Sequence, residues 1–67
     1  MVEIVVNGET TECEENITLE ALVGKLGYQK NRIAAEVNGE IVTKSEYENF
    51  ILKPADKLEI VSFVGGG

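Results

Sequence analysis

The sequence has 67 residues with 12 acidic side chains, 6 basic side chains and no histidine, so its formal net charge at pH 7 is −6. A single cysteine excludes an intrachain disulfide, and the lack of histidine excludes Ser-His and Cys-His catalytic pairs and a Cys/His zinc site. The negative charge argues against binding to nucleic acid, no apolar run approaches the roughly 20 residues that span a bilayer, and no signal peptide is evident. We therefore expect one small cytoplasmic domain that is monomeric, binds no metal and is not associated with a membrane.

The first predicted element is a hairpin. Apolar residues alternate over residues 2–6, and Asn7-Gly8 then supplies the positive φ angles that a two-residue turn requires. If Val6 pairs with Glu9, the register places Cys13 on the core side of the second strand. We therefore expect Cys13 to be a buried, inert thiol, in preference to a persulfide or thioester carrier.

The next segment is predicted to be a helix, because its apolar residues recur at i, i+3, i+4 and i+7. These residues are Leu19, Leu22, Val23 and Leu26. Thr18 is the expected N-cap, and Gly27 fits the left-handed position that follows a helix. Gly24 lies inside the helix at a cost of about 1 kcal/mol relative to alanine, which predicts a close packing contact at that position.

A second hairpin follows. Apolar residues alternate again over residues 33–37, and Asn38-Gly39 repeats the turn signal. Ile41-Val42 forms a short return strand, for which the pattern leaves the inward side chain undecided.

The last part of the domain combines a short helical turn with a final strand. Ser45 is the expected cap of a single helical turn that directs Tyr47 and Phe50 inward. Residues 53–56 are predicted to form a turn, because Pro54 cannot donate to a sheet. The final strand covers residues 58–63, with Leu58 and Ile60 as its core residues.

The predicted order is therefore β-β-α-β-β-β. One amphipathic helix must cover one face of the sheet, and the first and last strands, as near-continuous apolar runs, suit neighbouring central positions. This α+β arrangement is the β-grasp, or ubiquitin-like, fold: a mixed sheet of about five strands with one main helix packed on one face. We expect residues 1–64 to form the domain and residues 65–67 to form a flexible C-terminal tail.

The tail consists of Gly65, Gly66 and Gly67, directly after Val64. Glycine gives the backbone its greatest freedom, so this tail can thread through a narrow channel and bring the Gly67 carboxylate to the active site of another protein. An α-carboxylate is ionised and unreactive at neutral pH, so a partner must activate it, for example by adenylation. A frayed terminus or the start of a linker would have the same composition.

The sheet face opposite the helix is the second candidate site. Alternation along the strands predicts an apolar strip beside the tail with an acidic rim. The residues of this docking face are Val5, Val61, Phe63 and Glu59, with Glu3, Glu12 and Glu36 further along the rim. The face suits a basic, partly apolar partner surface, although an ordinary solvated sheet face would have the same pattern.

The whole chain resembles the ThiS family, the sulfur carriers of thiazole formation in thiamine biosynthesis. The resemblance is carried by Asn7-Gly8, Thr18-Leu19-Glu20-Ala21-Leu22, Val37-Asn38-Gly39-Glu40, Lys44-Ser45-Glu46-Tyr47, Leu58-Glu59-Ile60-Val61 and, most specifically, Phe63-Val64-Gly65-Gly66-Gly67. One departure is Pro54-Ala55-Asp56, where a Gly-Asp turn is common, which leaves the turn type open.

The resemblance implies that the chain is a protein co-substrate without an active site or bound cofactor of its own. An E1-like adenylyltransferase (ThiF-type) would use ATP and magnesium to form a Gly67 acyl-adenylate. Sulfur from a cysteine-desulfurase route would convert it to a thiocarboxylate, and a thiazole synthase (ThiG-type) would take the sulfur. The alternatives are the small subunit of molybdopterin synthase, a ubiquitin-like modifier of lysines, and a plain β-grasp binding module.

Overall fold

Five strands form one sheet and a single α-helix packs on it in the computed structural model, which describes residues 1–63. The predicted order of strands and helix is confirmed, with two short 3₁₀ turns in addition. The elements are β1 (Val2–Val6), β2 (Glu9–Cys13), α1 (Leu19–Lys25), a 3₁₀ turn (Lys30–Arg32), β3 (Ile33–Val37), β4 (Glu40–Val42), a second 3₁₀ turn (Lys44–Glu46) and β5 (Lys57–Ser62).

The strands lie in the order β2-β1-β5-β3-β4. β1 and β5 run parallel side by side, and the other neighbouring pairs are antiparallel. The predicted central position of the first and last strands is therefore confirmed. The last strand, which leads into the glycine tail, has a hydrogen-bonded neighbour on both sides, so the tail continues from the middle of the sheet.

Both hairpins form at the predicted Asn-Gly turns. Val6 pairs with Glu9 and Val2 pairs with Cys13, in the register that the apolar alternation predicted. Asn7 has φ 49° and Gly8 has φ 84°, the positive pair that a tight hairpin turn needs. The second turn repeats this geometry at Asn38-Gly39, with φ angles of 54° and 87°.

α1 begins as predicted, with the Thr18 hydroxyl accepting the N–H of Ala21 at 3.1 Å. Leu26 follows the last helical residue and remains 38% exposed, so the apolar stripe is one residue shorter than its spacing suggested. The close contact predicted for Gly24 is wrong: this residue is exposed, and a Cβ there would meet nothing within 4 Å. Gly27 has the expected left-handed conformation, with φ 89°.

The turn after β4 is capped by a residue other than the predicted one. Thr43, and not Ser45, is the N-cap of the second 3₁₀ turn, and its backbone N–H donates to the Glu46 carboxylate at 3.1 Å. The prediction of Ser45 is wrong because the turn begins two residues earlier, which places Ser45 inside it. Tyr47 is buried as predicted, and Phe50 is half-buried against the core.

The predicted turn over residues 53–56 leads into β5. The Asp56 N–H donates to the Lys53 carbonyl at 3.1 Å, with Pro54 as the second residue of the turn. Ala55 occupies the third position with φ 70°, the geometry of a type II turn, in which glycine is the usual residue. The departure from the Gly-Asp pattern therefore leaves an alanine in the left-handed region.

The core lies between the helix and one face of the sheet. The helix contributes Leu19, Leu22 and Val23, and the strands contribute Ile4, Val6, Cys13, Ile33, Ala35, Val37, Val42, Leu58 and Ile60. Leu58 and Ile60 confirm the predicted inward face of β5, and Val42 settles the orientation of β4. No helix within residues 1–63 is long and apolar enough to cross a membrane.

Candidate functional site

The predicted glycine tail continues from a well-defined position at the end of β5. Val64, Gly65, Gly66 and Gly67 lie outside the described residues. Phe63, the last described residue, donates its backbone N–H to the Arg32 carbonyl at 2.8 Å. The first 3₁₀ turn therefore fixes the point from which the chain enters the tail.

The sheet face opposite α1 carries the residues of the predicted docking face. Leu58 and Ile60 point into the core, so Glu59 and Val61 point to the outer face, where Val61 is 61% exposed. Val5 lies opposite Lys57 on this face and is half-buried, and Phe63 is 55% exposed beyond the end of the strand. The structure thus brings the predicted apolar residues to one side of the sheet.

The outer face extends further across the sheet than the predicted docking face. Ala34 lies opposite Val61, and Ile41 lies opposite Glu36. Ile41 is 72% exposed and adds an apolar side chain that sequence reasoning left unassigned. The signal was present, because the hairpin turn at Asn38-Gly39 sets the register and period two then directs Ile41 outward.

Acidic side chains face one another on the same surface. Glu36 lies opposite Glu59, and Glu3 lies opposite Glu12. Like charges in directly opposite positions destabilise a sheet. The ion pairs of residues 1–63 lie elsewhere, between Lys25 and Glu14 at 2.8 Å and between Lys30 and Glu20 at 2.7 Å. The predicted acidic rim is therefore present, and no lysine or arginine within residues 1–63 forms an ion pair with it.

Cys13 does not belong to this face. Its side chain is 3% exposed and packs in the core, as predicted. Burial raises the pKa of the Cys13 thiol above its ordinary value, and the positive charge of Lys25 offsets only part of this effect. The thiol therefore stays protonated at neutral pH and is a poor nucleophile. Among the described residues no cluster of acidic and cysteine side chains has the arrangement of a metal site.

The strand order and the single helix define a ubiquitin-like β-grasp domain, and solved structures show the same fold. The crystal structure of the thiamine biosynthesis protein (ThiS) from Geobacter metallireducens superposes with a TM-score of 0.84 at 26% identity, covering 98% of this chain and 100% of that chain. A solution NMR structure of a thiamine biosynthesis protein from the same organism has a TM-score of 0.79 at 28% identity, covering 98% of this chain and 88% of that chain.

The ThiS family model matches residues 4–67, and the chain therefore belongs to the ThiS family.

Similar sequences include both much larger proteins and proteins of nearly the same size. A thiazole synthase of Paramagnetospirillum magneticum is 47% identical over 64 residues, which are 96% of this chain and 20% of that protein. A thiazole synthase of Magnetococcus marinus is 38% identical over 61 residues, or 91% of this chain and 19% of that protein. This chain thus spans about a fifth of the length of these two relatives. The uncharacterized protein ycf40 of Porphyra purpurea is 33% identical over 66 residues, covering 98% of this chain and 93% of that protein.

Proposed function

We propose that this protein is a sulfur carrier for thiazole formation in thiamine biosynthesis, and that its Gly67 carboxylate carries the sulfur as a thiocarboxylate. The observation that carries this proposal is the match to the ThiS family, which extends through the tail to residue 67. The fold supports it, because β5 lies in the middle of the sheet and only Phe63 and Val64 separate it in sequence from the first glycine of the tail.

The chemistry requires activation of a carboxylate by another protein. The Gly67 carboxylate attacks the α-phosphorus of ATP, which releases pyrophosphate and forms an acyl-adenylate. Hydrosulfide can then attack the carbonyl carbon and displace AMP, which gives the thiocarboxylate directly. A persulfide from the desulfurase route displaces AMP in the same way, and a thiol then reduces the resulting acyl disulfide to the thiocarboxylate. Glycine suits this step because it has no side chain to shield the carbonyl from attack. In this proposal the chain is a co-substrate, and the ATP and magnesium belong to the active site of the adenylating partner.

Three partners follow from this cycle. A ThiF-type, E1-like adenylyltransferase forms the acyl-adenylate, a cysteine-desulfurase route supplies the sulfur, and a ThiG-type thiazole synthase accepts it. The two relatives that are thiazole synthases support the last partner, and they favour thiazole formation over the molybdopterin pathway. We assign Val5, Val61, Phe63 and Glu59 to the surface that binds these partners, because they lie on the outer face. Val61 and Phe63 lie beside the root of the tail, and Val5 lies beside the start of β5.

Intact-mass spectrometry tests the carrier role. The protein is incubated with ATP, a sulfur source and the adenylating enzyme of its own host. We expect a mass gain equal to the difference between one sulfur and one oxygen atom, located on Gly67 by fragmentation. Oxidation of Met1 or Cys13 adds almost the same mass, so alkylation with a reagent specific for thiocarboxylates must label the product.

Two controls make this experiment decisive. Omission of ATP should abolish the alkylated product, because the carboxylate is then never activated. A Cys13→Ser variant should still form it, because the buried thiol has no part in the proposed chemistry. Absence of the product in the presence of an adenylating enzyme that consumes ATP would contradict the carrier role.

A further inference from the structure

Two basic residues lie next to Phe63, the last described residue before the tail. The Lys44 ammonium lies 5.8 Å from the centroid of the Phe63 ring. Arg32 accepts the Phe63 N–H through its backbone carbonyl at 2.8 Å and lines a groove together with Phe63. Two of the 6 basic residues of a chain with net charge −6 therefore lie at the root of the tail. We call Arg32 and Lys44 the cationic collar.

The positive charge of the collar is not neutralised within the described part of the chain. Lys25 and Lys30 form ion pairs with Glu14 and Glu20, whereas over residues 1–63 neither member of the collar has an acidic partner within 4.0 Å. Both collar side chains belong to exposed residues. An unpaired cation on an acidic molecule is available to an external anion.

The groove beside Arg32 has a shape that can accommodate an acidic side chain. It is open, has a volume of about 280 Å³ and lies between the first 3₁₀ turn and the end of β5. Its walls are formed by Gly27, Tyr28, Gln29, Arg32, Ile33, Ser62 and Phe63. This mixed lining suits an acidic side chain, because its methylene groups can pack on Tyr28, Ile33 or Phe63 while its carboxylate receives the planar donors of the arginine.

We propose that the cationic collar binds carboxylate side chains at the mouth of the adenylating enzyme's channel for the tail. This inference rests on the proposed function and deepens it by assigning a charge pattern to the partner. The outer face is acidic and the collar is basic, so a partner with the complementary pattern binds in one orientation. That orientation directs the tail into the channel. Opposite charges at separate positions of one interface fix its register in this way.

Charge reversal tests the collar. We compare Arg32→Glu and Lys44→Glu with Lys53→Glu, a matched control with the same change of charge at the opposite end of β5. The measurement is ATP-dependent pyrophosphate release by the adenylating enzyme of the same host, titrated with each variant. We expect KM to rise at least about tenfold for each collar variant with kcat unchanged, because repulsion at a rim weakens docking and leaves the chemistry intact. The control should remain within about twofold of the wild type, because Lys53 lies outside the collar.

Folding does not confound the comparison, because the backbone of Arg32 holds Phe63 and its side chain is not needed for that bond. Thermal unfolding of each variant verifies this point. The neutral variants Arg32→Gln and Lys44→Gln provide a milder pair, for which we expect a smaller rise of KM in the same direction.

The possible outcomes test the role of the collar and the proposed function separately. If the wild type is adenylated and the collar variants have the same KM as Lys53→Glu, the proposed role of the collar is overturned and the carrier role stands. A fall of KM would also overturn it, because the collar would then face a basic partner surface or restrain the chain's own terminal carboxylate. If the wild type is not adenylated at all, the proposed function fails and the collar fails with it.

Discussion

Ala55 holds a backbone conformation that costs an alanine energy. Its φ of 70° lies in the left-handed region, where the Cβ approaches the following carbonyl oxygen at a cost of about 1–2 kcal/mol. Two hydrogen bonds hold the turn in place: Ala55 N–H donates to the Glu3 carbonyl at 2.8 Å, and Asp56 N–H donates to the Lys53 carbonyl. The turn ties the start of β5 to β1, so the strain persists because the surrounding bonds require it.

Ala55→Gly should therefore stabilise the protein. Glycine relieves the left-handed strain of about 1–2 kcal/mol and costs about 0.5–1 kcal/mol of additional chain entropy, so we expect a net gain of about 1 kcal/mol. Urea unfolding measures the change as a higher midpoint with an unchanged m value. Ala34→Gly is the control, because Ala34 lies in β3, where glycine should destabilise. Equal losses for both variants would contradict the assigned strain.

At the scale of elements, one side chain extends the parallel pairing of β1 with β5 beyond its backbone register. The register contains only Val5 opposite Lys57 and Val6 opposite Leu58. Asn7 continues it: its backbone N–H donates to the Leu58 carbonyl at 2.9 Å, and its side-chain Oδ1 accepts the N–H of Ile60 at 2.7 Å. The amide oxygen of Asn7 thus takes the place of a strand carbonyl beyond the end of β1.

Substitutions of Asn7 distinguish the contribution of this hydrogen bond to stability from that of the turn. Asn7→Gly keeps the positive φ and removes the acceptor, which leaves the part-buried N–H of Ile60 without a partner. We expect a loss of about 1–3 kcal/mol in the free energy of unfolding, the usual cost of an unsatisfied buried donor. Asn7→Asp retains the acceptor oxygen and should retain most of the stability. Hydrogen exchange at Ile60 should accelerate in Asn7→Gly alone; equal exchange in the two variants would show that the side chain contributes nothing.

Local sequence patterns predict some features of this fold and miss others. The hairpin registers, the Thr18 cap and the inward faces of the strands follow from spacing alone, because neighbouring residues determine them. The bond from Asn7 to Ile60 joins residues 53 positions apart, so no local pattern contains it. The close contact predicted for Gly24 is wrong for a related reason, since the spacing of apolar residues gives its place on the helix and not what lies beside it.

At the scale of the whole molecule, one part of the candidate site can be predicted from the alternation of residues along the strands. The other part depends on how the elements are arranged around the sheet. The outward direction of Val61 and Glu59 follows from period two along β5. The contacts of Arg32 and Lys44 with Phe63 do not follow from this alternation. They depend on where the first 3₁₀ turn and the end of β4 lie relative to β5. The fold brings the Lys44 ammonium and the Arg32 carbonyl to Phe63, at the root of the tail.

Acidic side chains on the outer face repel one another. The opposition of Glu36 to Glu59 and of Glu3 to Glu12 destabilises the free domain. A basic partner surface would neutralise both pairs at once. The exposed Val61 and Phe63 lie beside this acidic region, so the same partner would bury apolar area while it relieves the repulsion.

Val61→Ser and Phe63→Ser should accordingly weaken the complexes with both the adenylating enzyme and the thiazole synthase. Each substitution removes about 1–2 kcal/mol of apolar burial in the interface, which corresponds to roughly a tenfold rise in Kd. Titration calorimetry with each purified partner measures the change. Ile51→Ser is the matched control, because Ile51 is an exposed apolar residue that pairs with Thr18 away from the outer face. If all three variants bound equally well, the outer face would be an ordinary solvated sheet surface, and docking would depend on the tail and its root alone.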